Sequence, residues 1–355
     1  MQEASGASGA DNAWTRSAAL VLALKASLKS QDRGQTTIDL IQNETLAGAH
    51  ASRSAAAKEL AASYAREEDI DDPSTQSSSP ASSEGEVFWH VEEFVADHED
   101  QARDAVVSRV GIAMEPSQIE RLEREAAKHW DIFYKRNTTN FFKDRHYLTK
   151  AFPVLREKLE SGEPCKMVEF GCGVGNAILP LAETYKNCLG FGVDFSDKAI
   201  ALLNERKHPR CRGFVDDITG AQPLPAELHG ANLASLLFVL SAVDPPRMKD
   251  AVAKVVACIR PGGFLLFRDY AELDHAQIRF SPEQRLGLNH YVRHDGTRTF
   301  FFSLEGLSWL MEETLGLECV EAANIRRVVV NRQKDLRMRR IFVNAIYRVP
   351  SVPAP

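Results

Sequence analysis

Val168-Glu169-Phe170-Gly171-Cys172-Gly173-Val174-Gly175-Asn176 ends one apolar run and opens a helical pattern. Met167 to Phe170 reads as a strand buried by its neighbours, with Glu169 placed just before the turn. Glycine at every second position lets the backbone turn sharply and come close to a ligand. The helix that opens at 176 leaves free N–H groups facing the same point. A glycine loop alone discriminates weakly, because dinucleotide-binding proteins carry Gly-x-Gly-x-x-Gly in this place. The spacing here is Gly-x-Gly-x-Gly.

Outward from this loop, strands and helices alternate. A helix is expected over 176–185, a strand over 189–193 ending in Asp194, and a helix capped by Ser196. A short strand over 213–215 ends in Asp216-Asp217; a buried strand covers 233–240, a helix 246–259 and a strand 263–267. A helix over 304–315 and two late strands, near 326–330 and 341–347, complete seven strands. Such alternation implies an α/β fold with a mostly parallel sheet and helices on both faces.

The strand ends carry acids where a nucleoside would need them. Asp194 ends the second strand, where a carboxylate can accept both ribose hydroxyls. Asp217, or its neighbour Asp216, ends the third, where a carboxylate can accept an adenine amino group. Asp194 by itself would also suit a nicotinamide dinucleotide. Together with Glu169, Gly171, Gly173 and Gly175, the set points to S-adenosyl-L-methionine and a Rossmann-like methyltransferase of class I.

Composition separates the N-terminal part. Residues 1–86 are rich in Ala, Ser and Gln, with one candidate helix over 54–65, and hold too few large apolar groups to offset ordering entropy. They read as a loosely helical or disordered extension. Residues 87–160 read as a helical and aromatic segment preceding the methyltransferase domain at 161–350. Within it a helix is expected over 116–134, with Ser117 and Glu120 as a capping box. The net charge of −6 excludes a chain that is basic throughout but leaves room for a basic face. Six scattered cysteines without a CxxC pair suggest reduced thiols and no metal site. No apolar run reaches the length of a membrane span, so a cytoplasmic protein is expected, with nucleus or mitochondrion as alternatives.

Three further blocks carry a resemblance. The first is Trp130-Asp131-Ile132-Phe133-Tyr134-Lys135-Arg136-Asn137 with Asn140-Phe141-Phe142-Lys143-Asp144-Arg145-His146-Tyr147. The second is Phe238-Val239-Leu240-Ser241-Ala242-Val243, and the third joins Phe267-Arg268-Asp269-Tyr270 to Tyr291-Val292-Arg293-His294-Asp295-Gly296-Thr297-Arg298. Over residues 88–350 the chain resembles the tRNA N3-methylcytidine methyltransferases. Val330-Asn331-Arg332 is closer to the branch acting on arginine and threonine tRNAs. The resemblance implies 3-methylcytidine at position 32 of the anticodon loop, with tRNA as partner. It also allows for a helper protein such as an aminoacyl-tRNA synthetase or a tRNA-binding adaptor. It places Trp130, Tyr134 and Leu237 on the cofactor. Tyr147 stands where the family has Trp.

Neutral cytosine already offers a lone pair at N3, so alignment in a dry pocket matters more than a strong base. A carboxylate could stabilise the cationic product. Asp269 is the candidate, against a structural bond to the loop bearing Tyr291 and Arg293. Lys135, Arg136, Lys143, Arg145, Arg293, Arg326, Arg327 and Arg332 are the candidate RNA contacts, against the ordinary reading of charge runs as solvated surface. A methyltransferase for proteins or small molecules, and a non-catalytic RNA-binding scaffold, are the competing readings.

Overall fold

The computed structural model describes residues 89–90, 102, 106, 114–137, 144–331 and 336–351. Residues 1–86, with the candidate helix, lie outside the described residues, as do Lys143 and Arg332 and the side chain of Arg136.

In chain order the strands are β1 (Trp89–His90), β2 (Cys165–Phe170), β3 (Cys188–Asp194), β4 (Cys211–Val215), β5 (Ala231–Leu237) and β6 (Ile259–Tyr270). Three short strands follow, β7 (Arg285–Gly287), β8 (His290–Val292) and β9 (Arg298–Phe300), then β10 (Glu318–Asn331) and β11 (Leu336–Arg348). The helices used below are α1 (Pro116–Arg124), α2 (Ala126–Asn137), α3 (Leu148–Ala151), α4 (Pro153–Glu160), α5 (Ile178–Thr184), α6 (Asp197–Glu205), α7 (Pro245–Val256) and α8 (Leu304–Ser308).

The main sheet runs β1-β10-β11-β6-β5-β2-β3-β4. Strands β2 to β6 pair in parallel, while β11 is antiparallel to β6 and β10 antiparallel to β11. These are the seven strands foreseen; the two-residue β1 adds an eighth along β10. Strands β2 and β5 are buried along almost their whole length, which explains their continuous apolar character. One face packs against α7 and α8 through Met248, Val252, Val255 and Leu307, and against the helical turn Trp309–Thr314 after α8 through Met311. The other packs against α3, α4 and α5 through Leu148, Phe152, Leu155, Ile178 and Leu181.

Three local readings are corrected. Pro116 occupies the first turn of α1, where its missing N–H costs nothing, so Ser117 falls inside the helix and no capping box forms. The helix over 116–134 is two helices, separated at Glu125 (φ −94°, ψ 4°). The antiparallel sheet β7-β8-β9 was not anticipated, because its three-residue strands are too short to display a period.

Ser196 caps α6 as foreseen: its Oγ accepts the Ala199 N–H at 3.2 Å and donates to Asp131 Oδ1 at 2.6 Å, tying α2 to α6. Ser196→Ala should therefore cost about 1 to 2 kcal/mol in urea unfolding, the upper part of the range for a lost cap. A loss near zero would show that neither bond contributes.

Candidate active site

The chain leaves β2 towards β3 on one side, and later returns to β5 on the other. This leaves a crevice at the carboxyl ends of the strands, where open parallel sheets bind ligands. A cavity of about 430 Å³ occupies it, lined from α1, α2, the glycine loop and the ends of β3 to β6. Gly171, Gly173 and Gly175 all have positive φ, at 64°, 53° and 88°. A Cβ at Gly171 would run into Val239, and one at Gly173 into the Tyr134 hydroxyl. The loop is therefore closely framed by side chains, and only bare backbone fits beside the cavity.

Asp194 and Glu169 hold this loop from beneath. Asp194 Oδ2 accepts the Gly173 N–H at 2.9 Å, and Oδ1 accepts the Ser196 N–H at 2.9 Å. Glu169 Oε2 accepts the Ile178 N–H at 2.9 Å, at the start of α5. Both carboxyls are buried. Burial pushes Asp194 up to about 6, against the opposing pull of its backbone bonds. It pushes Glu169 up to about 7, against the neighbouring Arg145. Of the two acids after β4, Asp216 is taken by Lys254 at 2.6 Å. Asp217 is exposed and uses Oδ1 to accept Thr219 N–H and Oγ–H at 2.8 and 2.6 Å. Asp217 is thus the acid better placed to receive a further donor from the cavity.

Trp130 and Tyr134 lie one helical turn apart on α2 and both line the cavity, with ring centroids 6.1 Å apart. Tyr134 is buried against Val174 and Ala199, which seats α2 on the glycine loop. Leu237, at the end of β5, is buried in the wall.

Beyond β5 the lining changes character. Phe238 has φ 62°, a strained position for a residue with a Cβ, and turns its ring beside Tyr270 at 5.2 Å. Arg145 lies over Phe238 at 5.2 Å and Arg293 over Tyr270 at 5.6 Å. All four line the cavity. Sheet order therefore separates a carboxylate and glycine side, at β2 to β4, from an aromatic and cationic side, at β5 and β6.

Several candidate RNA residues sit differently from the solvated or phosphate-facing surface expected. Arg145 is buried, donating Nη1–H to the Leu237 carbonyl at 3.3 Å, and its backbone N–H binds the Asn176 carbonyl at 2.8 Å. Arg327 is buried while the adjacent Arg326 is exposed, because neighbours on a strand face opposite ways. Arg293 is half-buried and donates to the Arg298 carbonyl at 2.9 Å, whereas Lys135 is exposed on α2. Asp269 is fully buried and does not line the cavity. Its oxygens accept the Ser241 N–H at 3.0 Å and the Tyr270 N–H at 2.9 Å, so these hydrogen bonds go to the Ser241 turn and its own strand, while Arg293 of the loop bearing Tyr291 acts on it through its charge.

Sequence reasoning also passed over two carboxylates. Asp131 bonds Ser196, and Glu123 joins α1 to Arg247 on α7 and Arg298 on β9. Glu123 and its partners lie 124 and 175 residues apart in the chain, so no local pattern could reveal them.

Residues 141–322 match a methyltransferase domain model. The glycine cradle and buried Asp194 fit S-adenosylmethionine, and fold and site together define a class I methyltransferase that uses it. The chain is 42% identical over 246 residues to mouse tRNA N(3)-cytidine methyltransferase METTL6, covering 66% of this chain and 86% of that protein. It is 37% identical over 273 residues to the Drosophila melanogaster tRNA N(3)-methylcytidine methyltransferase Mettl2, covering 74% and 82%. To the Saccharomyces cerevisiae tRNA(Thr) (cytosine(32)-N(3))-methyltransferase it is 37% identical over 233 residues, covering 63% of this chain and 37% of that protein. The chain belongs to the tRNA N3-cytidine methyltransferase family.

Proposed function

We propose that this protein methylates N3 of cytidine 32 in the anticodon loop of a subset of tRNAs, and that arginine and threonine tRNAs are the first to test. The observation that carries the reading is the two-sided crevice: a nucleoside cradle at β2 to β4 faces an aromatic and cationic pocket at β5 and β6. S-adenosylmethionine supplies an electrophilic methyl group when bound. Gly171, Gly173 and Gly175 give it backbone, Asp194 and Asp217 accept its hydroxyl and amino donors, and Trp130, Tyr134 and Leu237 close the apolar sides.

The acceptor edge of cytosine is the one used in pairing, so the base must leave its stack and enter the pocket. Phe238, backed by the buried Tyr270, gives the pocket an aromatic wall, and the guanidiniums of Arg145 and Arg293 that cover these rings offer donors for its carbonyl. No proton has to be removed from N3. The side chains therefore act by alignment and by excluding water. Asp269 acts at one remove, fixing the Ser241 turn and the Tyr270 backbone that shape this pocket. Lys135 and Arg326 are exposed and suit phosphate contacts, with Lys143, Arg136 and Arg332 as further candidates; binding through them weakens with salt.

Six free cysteines suit a reducing compartment, and the reading places the enzyme in the cytoplasm. Among the described residues no helix is long and apolar enough to cross a membrane. The test is methyl transfer to total tRNA from cells that lack 3-methylcytidine, with the modified positions mapped. Transfer to cytidine 32 supports the reading, and transfer to protein alone overturns it. Running the purified chain with and without a tRNA-binding protein fraction reports whether a helper is needed.

A further inference from the structure

The two ends of the crevice are joined by one side chain. Helix α1 covers part of the cavity and yet buries none of its residues completely. Besides its junction with α2, two polar ties among the described residues join it to the body. The Met114 N–H just before it donates to the Arg285 carbonyl at 3.1 Å, and Glu123 near its end accepts from two guanidiniums. One oxygen of Glu123 meets Arg247 and the other meets Arg298, whose side chain is 5% exposed.

Each arginine leads to a different end. Arg247 donates Nη2–H to the Thr219 carbonyl at 2.8 Å, and Thr219 in turn donates to Asp217, the acid on the nucleoside side. Arg298 offers its carbonyl to Arg293 at 2.9 Å, and Arg293 lies over Tyr270 on the aromatic side. Charge-assisted bonds to a shared carboxylate are among the stronger polar contacts, and a helix with little buried surface depends on them. We infer that Glu123 is a positioning residue that latches α1 over the crevice and links its S-adenosylmethionine end to its base end. The inference rests on the reading of that crevice given above. Asp244 stands beside the same two arginines, so replacing Glu123 does not leave them without an acid nearby.

The test uses the full chain, with Glu123→Ala and Glu123→Gln. Calorimetry measures S-adenosylmethionine affinity, and hydrogen exchange follows residues 114–124 with and without the cofactor. Glu123→Ala should weaken binding on the order of tenfold and abolish cofactor-induced protection of α1, with the unliganded melting temperature nearly unchanged. Glu123→Gln, which keeps an acceptor without the charge, should fall between and serves if the alanine variant does not fold. The pair Glu123→Arg with Arg298→Glu should recover part of the affinity. Wild-type affinity and protection in both single variants would overturn the latch, as would a loss of affinity that merely tracks a lowered melting temperature. Wild-type protein that protects α1 with cofactor but methylates no tRNA would refute the proposed substrate and leave the latch standing.

Discussion

Asp194→Ala should bind S-adenosylmethionine at least about 100-fold more weakly than the wild type in calorimetry. The Gly173 and Ser196 N–H groups lose their common acceptor, and each buried unmet donor costs roughly 1 to 3 kcal/mol, where 1.4 kcal/mol is tenfold in affinity. On the proposed placement of the cofactor, its hydroxyls lose the same carboxylate. Affinity retained within about threefold would remove Asp194 from the binding site.

The pH dependence carries the same logic with two opposite signs. Burial lifts Asp194 to about 6 and Glu169 to about 7, above their values in the unfolded chain. A carboxyl raised on folding favours the folded state below its unfolded pKa, and that contribution is lost as pH rises through the folded value. Cofactor binding draws on the ionised forms. Affinity should therefore strengthen as pH rises through about 6 to 7, while the unliganded protein loses some stability between about pH 4 and 7, from the unfolded values up to the folded ones. Asp194→Asn should flatten the rise in affinity.

Asp274→Ala is expected to be the most destabilising single change, at about 3 to 5 kcal/mol in urea unfolding, the cost of orphaning a buried charge. Asp274 is fully buried, and Arg340, 1% exposed, donates Nε–H to it at 2.9 Å. The Ile341 and Ala276 N–H groups also donate to Asp274, each at 2.7 Å. Arg340 packs over Phe342 at 5.2 Å and Tyr270 at 5.8 Å, so the loss reaches the aromatic end of the crevice. Replacing both partners by apolar residues of similar size should cost much less than Asp274→Ala alone. A cost below about 1 kcal/mol for the single change would mean that the pair carries no structural load.

The parallel strands were legible because strands covered on both faces appear as continuous apolar runs. The candidate cofactor acids stood out because Asp194 ends β3 and Asp217 follows the end of β4 by two residues. Strands β10 and β11 run 14 and 13 residues, longer than their apolar cores suggest, because arginines interrupt the pattern. Those same arginines read in the sequence as one cluster of candidate RNA contacts. Arg326 and Arg327 look equivalent in the chain, yet strand alternation turns one outward and buries the other. Arg145 sits in a basic stretch but ends inside the cavity wall, held by Phe238 and the Leu237 carbonyl. Asp269 and Glu123 take their meaning from partners far along the chain, and only the folded topology brings these together.

The proposed reaction is methyl transfer to one pyrimidine nitrogen of a presented tRNA base. The most direct measurement gives the purified protein labelled S-adenosylmethionine and an unmodified tRNA transcript, beside the same transcript with cytidine 32 changed to uridine. Label recovered as 3-methylcytidine from the first transcript, and absent from the second, is the predicted result. Equal labelling of both transcripts, or label on a different base, would contradict it.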